Sequence, residues 1–197
     1  DADGNTSEFG PCFAASVTQP PRTFFVTNTD DSGPGSLRQA LLDAQAAPAS
    51  ANNVVAFNIG TGAGAAGGLQ AAGADTFAIG LKAPLASIFE GVTIDGFTQP
   101  GSSANTLPDG NNAVLRIRLE GSLLGTGANG LTLGAPGCIV RGLEVRGFRG
   151  GGIHFTSGGD SGFVEGCHLM GNQSDGLCVD NASDVTIGGI APASRNV

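Results

Sequence analysis

The sequence predicts an all-β protein, a three-faced parallel β-helix of about seven coils with an N-terminal capping α-helix. A phrase of the approximate form apolar-x-apolar-charged-Gly recurs at intervals of about two dozen residues. The residues between the phrases form short segments that alternate apolar and polar side chains, as strands with one buried face do. Glycine supplies 34 of the 197 residues and is spread through the repeats, where the backbone must bend. The five copies of the phrase span 92–96, 117–121, 138–142, 162–166 and 185–189.

Residues 1–21 are predicted to form an N-terminal extension, and residues 22–197 a single β-helix domain. The first strand is predicted at 23–27, where aromatic and β-branched residues cluster. A turn cluster rich in Asp, Gly and Pro follows at 30–35.

The helix is predicted at about 36–47. One apolar stripe falls at positions i, i+3, i+4 and i+7, namely Leu37, Ala40, Leu41 and Ala44. Ser36 and Gln39 fit a capping box at its start, and Pro48 stops it. A solenoid exposes an open core at its first coil, so we expect this helix to cover that end. A helix packed against the side of the body is the alternative.

Further strands are predicted at 54–59, 77–79 and 85–88, with a Gly/Ala-rich loop at about 60–73 between the first two. In each later repeat, two more strands follow the glycine phrase. Residues 143–147 align with 167–171 as the second strand, and residues 130–133, 152–155 and 176–179 align as the third. Coils of this kind stack at about 4.8 Å, so that like residues form ladders.

Composition limits the possible partners. The chain has 17 acidic and 9 basic side chains, a net charge of −8, and Lys82 is its single lysine. Nucleic acid and anionic membranes would repel such a chain, because no cluster of cations can replace their counterions. No apolar run approaches the roughly 20 residues of a membrane span. The start at Asp1, without Met, suits a processed secreted protein or a trimmed chain.

The sequence leaves the state of the four cysteines open. Cys12, Cys138, Cys167 and Cys178 are not spaced as zinc ligands. An even number in an exported chain permits disulfides, whereas buried free cysteine behaves as a small hydrophobic residue. Cys167 occupies the column that Leu143 holds one repeat earlier, which favours the second interpretation.

The principal candidate site is the outward column before the repeated glycine, formed by Asp95, Glu120, Arg141 and Glu165. Two carboxylates on adjacent coils, about 5 Å apart, would match a retaining glycosidase pair. Arg141 could bind a sugar carboxylate through its planar fork. The alternative is structural, since an arginine between glutamates on neighbouring strands is an ordinary cross-strand pair.

Two further candidates lie on outward columns. Glu144 over His168 could bind a ligand or supply the base of a polysaccharide lyase. His154, on a column with Thr132 and Cys178, provides too few ligands for a metal site. Asp180 and Asp184 belong to an oxygen-rich turn that could hold calcium, with a turn stabilised by Asn and Asp side chains as the alternative. No cofactor is predicted.

Three segments resemble those of bacterial secreted proteins named for a "CSLREA" segment, within the pectin-lyase-like superfamily. The segments are 25–40, which contains Gly-Ser-Leu-Arg-Gln-Ala, 92–101, which reads Val-Thr-Ile-Asp-Gly-Phe-Thr-Gln-Pro-Gly, and 185–197. The resemblance covers roughly residues 23–197. It implies a right-handed parallel β-helix, export and a place at the bacterial surface. It implies no activity, because the superfamily contains lyases, hydrolases, epimerases and adhesins.

Two functional hypotheses follow. The first is a non-enzymatic extracellular structural or adhesive module. Its C-terminal end, predicted to lack a cap, would join either the remainder of a longer solenoid or another copy, head to tail in a filament. The second is a carbohydrate-binding or polysaccharide-cleaving protein that uses the charged column. The absence of Tyr and Trp and the small number of cations favour the first hypothesis.

Overall fold

The computed structural model describes residues 19–47, 51–60 and 76–197. The predicted extension 1–21, except its last three residues, lies outside them, as does the predicted Gly/Ala-rich loop 60–73 beyond Gly60. The described part of the chain is mostly β, with one α-helix and three sheets, and every strand pairing within these sheets is parallel.

Along much of the chain, successive strands belong to the first, second and third sheet in turn. The first sheet has the order β1 (Thr23–Val26), β2 (Asn53–Phe57), β4 (Val92–Asp95), β7 (Ile139–Arg141), β10 (Phe163–Glu165) and β13 (Thr186–Ile187). The second sheet has the order β3 (Phe77–Gly80), β5 (Ile117–Glu120), β8 (Leu143–Arg146) and β11 (His168–Met170). The third consists of β6 (Leu131–Leu133), β9 (Ile153–Phe155) and β12 (Leu177–Val179). The largest sheet thus has six described strands, against about seven predicted coils.

Register confirms the alignments predicted for the second and third strands of the repeat. His168 lies opposite Glu144, and His154 lies between Thr132 and Cys178. The prediction of a strand at 85–88 is wrong. In this segment Ile88 alone pairs with a strand, through an isolated parallel bridge with Leu133. A single bridge extends the third sheet there without forming a regular strand.

One hydrophobic core runs through the described residues and takes side chains from all three sheets and from the helix. Its largest fully buried side chains include Phe57, Phe148 and Phe155. Cys167 and Leu143 are both about 99% buried, so Cys167 serves as an apolar core residue, as the alignment indicates.

The helix, α1, spans Leu37–Ala46, and its buried residues are the four of the predicted stripe. Ser36 caps it by accepting a hydrogen bond from the Gln39 N–H. The reciprocal half of the capping box is absent, since the Gln39 side chain donates to Asp43 Oδ1. At the other end, Asn53 donates to the carbonyls of Ala44 and of the C-cap residue Ala47, as side chains that cap helix C-termini do.

Polar contacts join α1 to the segment 82–89. Arg38 donates to the carbonyls of Ala83 and Pro84, and Gln45 Oε1 accepts from the Phe89 N–H. Together with packing against β1 and β2, these contacts hold the apolar stripe of α1 on the core at the β1 end of the first sheet.

Two side chains of the 92–101 segment hydrogen-bond the backbone at the end of β2 and just after it, on the side where no described strand pairs with it. Gln99 accepts from the Ile59 N–H and donates to the Ile59 carbonyl. Thr98 Oγ1 accepts from the Phe57 N–H and donates to the Asp95 carbonyl. The Thr-Gln pair in this segment is therefore structural, because it satisfies backbone groups that no strand of the described residues reaches.

Asp31 makes the stability of this end of the molecule dependent on pH. Burial raises the pKa of Asp31, but hydrogen bonds from the Lys82 N–H and from Arg38 lower it more, so the pKa lies below its ordinary value. A lowered pKa stabilises the fold above the unfolded value of about 3.9, and this contribution is lost as pH falls through the folded value.

We therefore expect Asp31→Asn to be less stable than the wild type at pH 7, with a difference that narrows below about pH 4. Urea unfolding at several pH values measures it. A difference that stays constant from neutral to acid pH would contradict this account.

Candidate functional site

Three charged residues form one ladder across β4, β7 and β10, here called the first charged ladder. Asp95 lies opposite Arg141, and Arg141 lies opposite Glu165. Arg141 Nη2 is 2.7 Å from Asp95 Oδ2, and Nη1 is 3.8 Å from Glu165 Oε1. The hydrogen bond with Asp95 raises the pKa of Arg141, with further attraction from Asp95 and Glu165 outweighing burial. The guanidinium therefore neutralises a carboxylate that is only 6% exposed.

The prediction that Glu120 belongs to this column is wrong. Glu120 ends β5 in the second sheet, where it lies opposite Arg146. Asp95 and Arg141 are direct neighbours although 46 residues separate them in sequence. That long connection contains a phrase of the same form at 117–121. Its regular spacing from the other copies predicted that it lies in the first sheet, but it lies in the second. On the ladder itself an arginine separates Asp95 from Glu165, so no two predicted catalytic carboxylates occupy neighbouring strands there.

Phe97 explains the glycines that follow the ladder. A Cβ at Gly142 or Gly166 would lie 2.8 Å from atoms of the Phe97 ring. The ring thus packs against both glycines where the first sheet ends, while the Phe97 N–H donates to Asp95 Oδ1. This column needs glycine because a neighbouring side chain occupies the space a Cβ would take.

A second group of charges, here called the second charged cluster, consists of Arg118, Glu120, Glu144 and Arg146 on β5 and β8. Arg118 Nε lies 3.0 Å from Glu144 Oε2 as an ion pair, without the alignment of a hydrogen bond. Arg146 approaches both glutamates, at 3.4 Å from Glu120 Oε2 and 3.7 Å from Glu144 Oε1. Two arginines therefore compensate two glutamates, and Glu144 is only 9% exposed.

A polar cavity of about 200 Å³ opens beside this cluster. Its wall includes Glu144 and His168, the predicted ligand-binding pair, together with Asn111 and Arg195. Sequence reasoning missed the last two, because a loop and a distant segment bring them to the second sheet. The volume is below the roughly 300–1,000 Å³ of common small-molecule sites, so the cavity suits one small polar group.

Local hydrogen bonds hold the other candidate positions, although the buried His154 Nε2 has no hydrogen-bond partner among the described residues. Asn129 donates to His154 Nδ1 at 3.1 Å, and its oxygen accepts from the Gly151 N–H. Asn181 donates to Asp180 Oδ1, and both Asn181 and Asp184 have positive φ, as tight turns stabilised by Asn and Asp do. Across residues 19–47, 51–60 and 76–197, no three His, Cys, Asp or Glu side chains are grouped so as to hold a metal ion.

Cys138, Cys167 and Cys178 are free thiols, and Cys12 lies outside the described residues. Burial raises the pKa of Cys138 and raises that of Cys167 to about 12. A buried thiol with a raised pKa carries little of the reactive thiolate.

We expect iodoacetamide at pH 8 to alkylate Cys178, which is partly exposed, much faster than Cys167 in the native protein. Peptide mapping by mass spectrometry distinguishes the two sites, and unfolding in guanidinium should remove the difference. Equal labelling of both thiols in the native state would refute the buried position of Cys167.

Comparisons of the chain with protein-family models, curated proteins and solved structures gave no match. Among the residues that the structure describes, no helix combines the length and the apolar character needed to cross a bilayer.

Proposed function

We propose that this chain is a right-handed, three-faced parallel β-helix that serves as an extracellular structural or adhesive module of a bacterial surface protein. The architecture is supported by the three parallel sheets, in which successive strands of each sheet pair in register. Export and a surface location are supported by the resemblance of residues 23–197 to secreted proteins with a CSLREA-type segment.

One observation carries the structural function: the outward charges are paired with one another. Arg141 pairs with Asp95 and Glu165, and the second charged cluster balances two arginines against two glutamates. A catalytic carboxylate needs access to substrate, whereas Asp95 is 6% exposed and hydrogen-bonded to Arg141 and to the Phe97 N–H. The first charged ladder thus ties neighbouring strands together.

The test compares stability with activity in the same variants. In a double-mutant cycle of Asp95→Asn and Arg141→Met, we expect a coupling free energy of about 1 kcal/mol. This value is smaller than that of a fully buried ion pair, because solvent screens the partly exposed Arg141. A panel of acidic and neutral polysaccharides should show neither cleavage nor retention by the wild type. Cleavage that disappears in Glu165→Gln would contradict the structural function.

The polar cavity favours a second candidate function, carbohydrate binding. Glu144 and His168 line it side by side in register, and Arg195 contributes a cation. A saccharide that binds there should lose affinity in His168→Ala and retain it in the control Arg149→Ala, which alters an exposed arginine that does not line the cavity. Titration calorimetry with mono- and disaccharides, including uronates, measures this. Equal affinity for both variants would exclude the cavity as the binding site.

We further propose that the module extends end to end by adding a parallel strand at β13, from a second copy or from a further solenoid segment. No partner lies on the outer side of β13 within the described residues. Apolar side chains are exposed at this end, with Ile187 at 53%, Val197 at 56% and Ile190 fully exposed. Unpaired strand edges beside exposed apolar surface favour strand addition. Electron microscopy should show concentration-dependent polymers, lost when a bulky domain follows Val197, and uniform monomers would refute this extension.

A further inference from the structure

The carboxylate of Glu144 has unused hydrogen-bond capacity on the wall of the polar cavity. Glu144 is 9% exposed, and two guanidinium groups compensate its charge, with Arg118 Nε at 3.0 Å and Arg146 Nη1 at 3.7 Å. Neither contact is a hydrogen bond, since Arg118 Nε lacks the alignment and 3.7 Å is too long. Among the described residues no other donor bonds to this carboxylate. A carboxylate offers about four acceptor sites, so its donors must come from the cavity, from water or from a ligand.

Two neighbouring side chains on the cavity wall can donate hydrogen bonds. The Asn111 oxygen accepts from the Ala113 N–H at 2.8 Å, which orients the amide and leaves its NH2 group available. His168 lies opposite Glu144 in register, and its ring makes no hydrogen bond with the described residues. One acceptor group and two donor groups thus line a single cavity of about 200 Å³. A hydroxyl suits such a wall, because it both donates and accepts hydrogen bonds.

The charged groups on the described part of the cavity wall are already engaged. The second charged cluster, to which Glu144 belongs, balances two arginines against two glutamates. The guanidinium of Arg195 is hydrogen-bonded to three carbonyls of the loop 107–110. A ligand carboxylate would therefore lie against the Glu144 carboxylate without an uncommitted guanidinium to compensate it. A neutral ligand avoids this repulsion.

We propose that the cavity binds the vicinal hydroxyl pair of a neutral sugar unit. The two hydroxyls donate to the Glu144 carboxylate, and Asn111 and His168 donate to the hydroxyl oxygens. This inference rests on the carbohydrate binding proposed above for the cavity, and it names the ligand class: neutral glycosides with adjacent free hydroxyls, in preference to uronates.

The first experiment compares three classes of ligand on the wild-type chain by titration calorimetry. The ligands are the methyl glucoside, galactoside and mannoside, the corresponding uronates, and the 3-deoxy form of each glycoside. Removing the 3-hydroxyl leaves no two adjacent free hydroxyls on the ring and does not change the charge. We expect at least one methyl glycoside to bind about tenfold more tightly than both its uronate and its 3-deoxy form, which loses a hydrogen bond to a charged group.

The second experiment tests the role of Glu144 through a matched pair of variants. Glu144→Gln removes the carboxylate from the cavity wall, whereas Glu120→Gln makes the same change in the same cluster, at a residue that does not line the cavity. We expect the affinity for the glycoside to fall about tenfold in Glu144→Gln, because an amide has one acceptor oxygen, and to stay unchanged in Glu120→Gln. Circular dichroism measures whether both variants are folded.

The outcomes separate the ligand class from the binding itself. If no sugar of the panel binds the wild type, carbohydrate binding at the cavity is wrong, and the assigned ligand class falls with it. If a uronate or a 3-deoxy glycoside binds as tightly as its parent, the assignment of a neutral vicinal pair is overturned and carbohydrate binding stands. Equal affinity in Glu144→Gln and Glu120→Gln would overturn the role of Glu144. Should Glu144→Gln unfold, the ligand comparison on the wild type still decides.

Discussion

Replacing Gly96 with alanine is expected to lower the free energy of unfolding by about 3 kcal/mol. A Cβ at this position would lie 2.1 Å from the carbonyl oxygen of Gly142 and 2.7 Å from its carbonyl carbon. Both atoms are backbone, so no side-chain rotation relieves the clash. The end of β4 and the turn after β7 would have to separate, although Asp95 and Arg141 pair in register there.

Gly125→Ala is the matched control, because a Cβ at Gly125 would meet nothing within 4 Å and its φ is not in the left-handed region. Its expected effect is within about 0.5 kcal/mol. Guanidinium unfolding followed by circular dichroism compares both variants with the wild type. Equal stability of Gly96→Ala and Gly125→Ala would mean that the two turns do not approach each other as described.

Replacing Phe148 with alanine is expected to cost about 3–5 kcal/mol, the range for removing a fully buried aromatic ring. Phe148 has no exposed surface, and its ring lies 2.3 Å from the position a Cβ would take at Gly121 and 3.0 Å from that at Gly130. The ring thus fills space that glycines on two neighbouring turns leave open.

Phe89→Ala is the control for this prediction, since Phe89 is 67% exposed and its removal opens no buried cavity. Chemical unfolding measures the difference, and the unfolding slope should stay the same if only the native core changes. A loss in Phe148→Ala no greater than in Phe89→Ala would contradict the placement of Phe148 in the core.

The parts of the fold predicted correctly are those governed by local pattern. The stripe of α1 follows from helical spacing, and Ser36 caps the helix because its hydroxyl reaches the Gln39 N–H three residues on. Alignment of the repeats predicted the register of Glu144 with His168 and of His154 with Cys178, and the pairing confirms it. In these turns the repeat has nearly constant length, so sequence spacing and spatial register coincide.

The errors arise where a turn of the chain departs from the repeat length. The connection from Asp95 to Arg141 contains a second phrase of the same form, and only strand pairing reveals that Glu120 lies in another sheet. Near 85–88 the apolar pattern is typical of a strand, but the segment pairs with the third sheet only through a single bridge at Ile88. Local pattern carries no information about which distant strand supplies the hydrogen bonds.

The candidate sites show the same limit. Outward positions were predicted for Asp95, Arg141 and Glu165, but the close pairing of Asp95 with Arg141 depends on side-chain conformations. The contact of Arg195 with three carbonyls of the loop 107–110 could not be predicted, because backbone carbonyls have no signature in sequence. Asn172 follows Gly171 and bridges the Val145 carbonyl and the Phe148 N–H, whereas Asn196 makes the equivalent bridge after Arg195, so the preceding residue is no signal for this role.

The most direct test of the stacked architecture is nuclear magnetic resonance on the labelled full chain, through contacts between backbone protons of neighbouring strands. Parallel, in-register pairing predicts contacts of Val140 with both Ile94 and Val164, and of Val145 with both Leu119 and Leu169. Contacts that join the 117–120 strand to 92–95, or an antiparallel pattern across 139–141 and 163–165, would contradict it.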